Sequence, residues 1–147
     1  MRVAPVVGVL TALVLAGCGG SGSLSDTQLR SQATTVCATA NQRTARIATP
    51  QSPDGALLFL RRGIAVLRPE LAQLQTLKAP TQLSQAYSIS LTAFSRKLHA
   101  LERTAAGLAS GEDPASAMHA LQARLAPLES REDAAWRTLD ISACRNR

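Results

Sequence analysis

TQLSQAYSISLTAFSRKLHALERTAAGLASGEDP, residues 81–114, decides the fold. Leu83, Tyr87, Leu91, Phe94, Leu98, Leu101, Ala105 and Leu108 recur at steps of three and four, which sets them on one face of a helix. The pattern stops at Gly111, a residue able to take the left-handed conformation that ends helices. Asp113-Pro114 then supplies an N-cap acceptor followed by proline at a first helical position, so a new helix starts almost at once. Short connections of this kind force neighbouring helices antiparallel.

The same grammar holds on either side. Downstream, Met118, Leu121, Leu125, Leu128, Ala135 and Leu139 form the stripe of a fourth helix that contains Pro127. Upstream, Lys78-Ala79-Pro80-Thr81 is a turn, and Leu57, Leu60, Ile64, Leu67, Leu71 and Leu74 mark a second helix beginning near Pro53. Pro69 lies inside that stripe; it has no amide proton and crowds the carbonyl of Ala65, so a kink or a break is expected, as at Pro127. The first helix opens at Ser25, with Gln28 completing a capping box and Leu24 and Leu29 placed to form a hydrophobic staple. Its stripe is Leu29, Ala33, Val36, Cys37, Ala40 and Ile47, and residues 49–53 end it. No strand pattern or internal repeat is visible, and Phe59, Tyr87, Phe94 and Trp136 are the only aromatics, which favours helix over sheet. The expected fold is all-α, an antiparallel up-down-up-down four-helix bundle over residues 26–147 with kinked second and fourth helices.

Before this domain, Arg2 precedes a run from Val3 to Leu15 that is mostly apolar, and Leu15-Ala16-Gly17-Cys18 closes it. The run is too short to cross a ~30 Å hydrocarbon core comfortably. It reads as a secretory signal, residues 1–17, ending in a lipobox whose Cys18 thiol accepts diacylglycerol, with residues 18–25 as the lipidated root and flexible tether. Removing residues 1–17 from the 147 leaves 130, the size of one domain. The expected location is the cell membrane, lipid-anchored, on the extracytoplasmic side.

With Cys18 acylated, Cys37 and Cys144 remain, 107 positions apart. Outside the cytoplasm such a pair usually means a disulfide; two thiols or a metal pair are the alternatives. An up-down order places the start of the first helix and the end of the fourth together, and the tail after Leu139 can fold back along the first helix. A redox role is poorly supported, because no CxxC occurs.

Three further landmarks accompany the lipobox: Val36-Cys37-Ala38-Thr39-Ala40-Asn41, Leu77-Lys78-Ala79-Pro80, and Ala135-Trp136-Arg137-Thr138-Leu139 ahead of Cys144. On these the chain resembles small, largely uncharacterised four-helix lipoproteins of high-GC actinobacteria. All basic residues except Lys78 and Lys97 are arginine, in keeping with a GC-rich genome. In that group a glycine often follows the final leucine, where Asp140 stands here. The resemblance implies a fold and a location and brings no catalytic motif.

Catalytic templates are missing from the sequence. Gly-x-Ser-x-Gly, His-Glu-x-x-His, Gly-rich phosphate loops and Cys-x-x-Cys-His do not occur. His99 and His119 are the only histidines; His99 with Glu102 gives a single i, i+3 pair, in reversed order for a di-metal bundle. Met118 with either histidine could ligate haem, although Met at core spacing is ordinarily a gap-filler. The expectation is therefore a non-enzymatic chain with no metal and no cofactor.

Charge is divided unevenly within a formal net +6. From Gln28 to Arg103, the ten basic residues Arg30, Arg43, Arg46, Arg61, Arg62, Arg68, Lys78, Arg96, Lys97 and Arg103 stand against only Asp54, Glu70 and Glu102. A basic side on a tethered domain suits anionic lipids, envelope polymers or another envelope protein, and Arg61, Arg62 and Arg68 are its candidate contacts. Nucleic acid is not expected, for no aromatic stacking platform accompanies the charge. The working expectation is an envelope binding or interaction module; the alternative is a carrier of a small apolar ligand or cofactor within the bundle. Glu132 takes a heptad position where leucine is expected. Either it is buried against an arginine, or Pro127 shifts the phase so that it faces water while Trp136 turns inward; the second is the expectation.

Overall fold

The computed structural model describes residues 22–145, so the expected signal, the expected acylation site Cys18 and the first part of the expected tether lie outside the described residues. Among the described residues all regular structure is helical. Four long helices, α1 (Asp26–Thr44), α2 (Ala56–Thr76), α3 (Thr81–Ala109) and α4 (Pro114–Leu139), are accompanied by 3₁₀ turns at Pro53–Gly55 and Ser142–Cys144. The Cys37–Cys144 disulfide is formed, with Cα atoms 5.1 Å apart and both sulfurs buried.

Each helix end has a local cause. The Ser25 Oγ accepts from the Gln28 amide at 3.2 Å while Gln28 Oε1 accepts from the Ser25 amide at 2.9 Å, completing the capping box. α1 stops at Thr44, short of Ile47, in tighter turns in which the Arg46 amide donates to the Arg43 carbonyl and the Ile47 amide to that of Thr44. At the end of α3 the Glu112 amide donates to the Gly107 carbonyl and the Gly111 amide to that of Leu108, with Gly111 at φ 93°. Asp113 Oδ2 then caps α4 through the Ser116 amide at 2.8 Å. The Asp113 carboxyl is held below its ordinary value by that backbone hydrogen bond.

The end of α4 repeats the closure without glycine. The Ile141 amide donates to Trp136 and the Asp140 amide to Arg137, and Asp140 sits at φ 57°, ψ 45°. An L-residue with a side chain is strained there, and a carboxylate at a helix C-terminus opposes the macrodipole. Asp140→Gly is expected to raise the unfolding free energy by about 0.5–1 kcal/mol; a urea titration showing no gain would mean that Asp140 makes a compensating contact.

Pro69 and Pro127 lie inside continuous helices, and neither breaks its helix. Both prolines, and the residues whose carbonyls they leave without a donor, Ala65 and Ala123, are exposed, so solvent replaces the lost bonds. The core gathers the expected stripes around Trp136, Phe94, Leu29, Leu74 and Leu139, each fully buried. α3 packs most extensively against α4 and next against α2, while α1 lies on α2 and on the C-terminal 3₁₀ turn. That turn follows α1: Arg30 Nε donates to the Leu139 carbonyl at 2.9 Å, and Asn41 Nδ2 to that of Ala143 at 2.8 Å. At the other end of the described chain, the Leu24 amide donates to the Lys78 carbonyl in the α2–α3 connection at 2.8 Å.

Candidate functional site

Arg61, Arg62 and Arg68 are all exposed on α2, but they do not form one cluster. Adjacent helical positions point about 100° apart, so Arg62 looks away from the face shared by Arg61 and Arg68. Arg68 is also engaged: its Nη2 lies 2.7 Å and its Nε 3.2 Å from Glu102 Oε1. Those hydrogen bonds hold the Glu102 carboxyl below its ordinary value, with His99 Nδ1 adding a contact to Oε2 at 3.3 Å. Arg61 and Arg62 have no ion pair among the described residues.

A second group of cations converges on the other flank of α3. Arg96, His99, Ala100 and Arg103 follow one another at i, i+3, i+4 and i+7, so they share a face. Across from them α4 presents Arg124, Pro127 and Leu128, and the two rows wall a groove of about 340 Å3. Arg96, Arg103 and Arg124 are exposed, and none has an ion pair among the described residues. The floor is apolar: Ala100 is buried, and Leu128 is half-buried. The 3,4 spacing of cations on the third helix was the available signal for this face, but its partner Arg124 emerges only once α3 and α4 are set in register.

Beneath this surface lies a buried polar pair that corrects the expectation for Glu132. Its carboxyl is 1% exposed and takes the heptad position of a leucine, because α4 continues through Pro127 without a change of phase. The partner is Lys97 of α3, not an arginine: Nζ lies 2.7 Å from Oε2, and Lys97 is itself buried. Trp136 does turn inward, and its Nε1 donates to Glu132 Oε1 at 3.2 Å. Tyr87 meets the Trp136 ring edge-on at 5.9 Å and donates its hydroxyl to the Leu74 carbonyl at 2.6 Å. Burial pushes the Tyr87 phenol up. Burial also pushes the Glu132 carboxyl above its ordinary value; Lys97 and the Trp136 indole oppose this without cancelling it. This network joins α2, α3 and α4 at their centre, and Tyr87 also lines a surface groove.

Among the described residues, grooves of about 340 to 500 Å3 open to the surface. His119 and Met118 line one on α4, apart from His99. Among the described residues no three His, Cys, Asp or Glu side chains gather into a metal-sized cluster, and no helix is long and apolar enough to cross a membrane. No family model, curated protein or solved structure matches this chain.

Proposed function

We propose that this chain is a lipid-anchored, non-enzymatic module of the cell envelope, one of the small four-helix lipoproteins it resembles, held on the extracytoplasmic side through Cys18. In this reading the helices form an antiparallel up-down-up-down bundle bent at Pro69 and Pro127. The short α2–α3 and α3–α4 connections support that order, as do pairings that run in opposite directions along neighbouring helices, Tyr87 with Trp136 and Lys97 with Glu132. Its role is to bring exposed arginines against an anionic surface, lipid or envelope polymer. The observation that carries this is the set of exposed arginines on α2 and α3, Arg61, Arg62, Arg96 and Arg103, without carboxylate partners among the described residues.

Sedimentation with phosphatidylglycerol vesicles tests the reading, using the mature-length chain with Cys18→Ser so that no acyl chain inserts. Each cation near an anionic surface contributes about 1 kcal/mol. Neutralising Arg61 and Arg62 together is therefore expected to weaken partitioning about tenfold to thirtyfold. Arg68→Gln has a smaller effect, since Glu102 already offsets that charge. Raising the salt several-fold releases the protein. Equal binding to phosphatidylcholine vesicles, or binding that ignores salt and the two arginines, rejects the electrostatic surface.

A further inference from the structure

We propose that the groove between α3 and α4 at Pro127 is a site for a single anionic phospholipid, whose phosphate is held by Arg96, Arg103 and Arg124. The inference deepens the envelope reading above and rests on it for the presence of such a lipid. Three guanidiniums converge on a groove of about 340 Å3, and no carboxylate lines it. Glu102, the nearest acid on that stretch of α3, is engaged by Arg68 and His99. Such a cluster of like charges repels itself and is relieved by an anion with several acceptor oxygens. Guanidinium forks match the tetrahedral oxygens of phosphate in pairs, which an ammonium does not do.

The floor decides what the phosphate is attached to. Ala100, Pro127 and Leu128 give the ligand an apolar strip immediately beside the cations. A hydrated inorganic ion gains nothing from that strip, whereas the glycerol and first acyl carbons of a lipid lose apolar surface to it. A nucleotide would need a ring to stack on, and no aromatic side chain lines the groove. Arg96 and Arg103 are two helical turns apart, about 10 Å along α3, so they can approach a headgroup from both sides while Arg124 closes from α4.

Isothermal titration of the mature-length chain with Cys18→Ser, using dihexanoyl phosphatidylglycerol below its micelle concentration, tests the site. Saturable binding is expected, with dihexanoyl phosphatidylcholine and inorganic phosphate at least about tenfold weaker. Arg103→Gln and Arg124→Gln each weaken phosphatidylglycerol about tenfold, while Arg61→Gln with Arg62→Gln leaves it unchanged. All these side chains are exposed, so the variants are checked for an unaltered helical spectrum and melting temperature before titration. Inorganic phosphate binding as tightly as the lipid overturns the proposal in favour of a simple anion site. Equal losses from Arg61 and Arg103 overturn it in favour of a diffuse field. If vesicles sediment the protein through Arg61 and Arg62 while the groove variants are silent, the groove fails and the surface reading stands. If the short-chain lipid binds in the groove and vesicles do not sediment the protein, the surface reading fails alone.

Discussion

Lys97→Met alone is expected to cost about 3–5 kcal/mol of unfolding free energy at neutral pH, while Lys97→Met with Glu132→Gln recovers most of that loss. The single change leaves a carboxylate that is 1% exposed without its cation 2.7 Å away. The double change removes both charges, and the glutamine oxygen can still accept from the Trp136 indole, which would otherwise be a buried donor with a lost partner. Trp136 is the chain's single tryptophan and fully buried, so its fluorescence reports urea unfolding of all four proteins in the cycle. A coupling below about 0.5 kcal/mol would show that the two charges are solvated separately.

The pH dependence of the same pair has a definite sign. Burial raises the folded-state pKa of Glu132 above its ordinary value of 4.5, so between the two the folded protein holds a proton that the unfolded chain has released. Stability from this group is fully present below pH 4.5 and is lost as pH rises through the folded value. Burial, with a small contribution from Asp133, outweighs Lys97 and the Trp136 indole, which favour the ionised form. Glu132→Gln removes this slope. The Lys97→Met penalty also shrinks on acidification, because Glu132 then takes a proton in place of its lost cation; a penalty that grows toward acid pH contradicts this account.

Loss of the disulfide has an effect of similar size through the unfolded state. Cys37 and Cys144 close a loop of 107 residues, and releasing it costs about 4–5 kcal/mol in the chain-entropy model. Cys37→Ala with Cys144→Ala is expected to lower the melting temperature by roughly 10–20 °C. Alanine is the replacement because both sulfurs are fully buried, where a serine hydroxyl would add its own cost. Helical content survives, since Arg30 and Asn41 still bind the tail carbonyls. A loss under about 1 kcal/mol would mean that these contacts already restrain the unfolded ends.

Local chemistry was legible in the residues themselves. The Ser25–Gln28 box, the glycine stop at Gly111, the Asp113-Pro114 start and the leucine stripes each involve neighbours within one or two turns, and each appears where the spacing put it. The cysteine pairing was legible for a different reason, because only two cysteines remained once Cys18 was set aside. Partnerships between helices were not legible. Glu132 sits in a leucine slot, but charges ordinarily stay in water and Pro127 reads as a phase shift, which points to exposure; the lysine that makes its burial tenable lies on another helix. Arg124 likewise joins Arg96 and Arg103 only through the register of α4 on α3. Arg68 falls beside Arg61 and Arg62 in the sequence of α2, although Glu102 of α3 holds it.

The covalent ring also changes how the chain bears a mechanical load. Tension applied between the two chain ends crosses from Cys37 to Cys144 through the sulfur bridge, so α2, α3 and α4 hang as a slack loop that carries none of it. The first bond to yield is the clasp from the Leu24 amide to the Lys78 carbonyl, after which α1 unwinds only as far as Cys37. At about 3.4 Å per extended residue, the stretch from residue 22 to the bridge reaches roughly 50 Å when straight, of which the helical part of α1 already spans about 17 Å, so less than about 35 Å is gained before the bridge takes the load. Such a pull would lengthen the domain by no more than that, and at the expense of Leu29 and Ala33, which α1 contributes to the core, while α2, α3 and α4 stay unloaded.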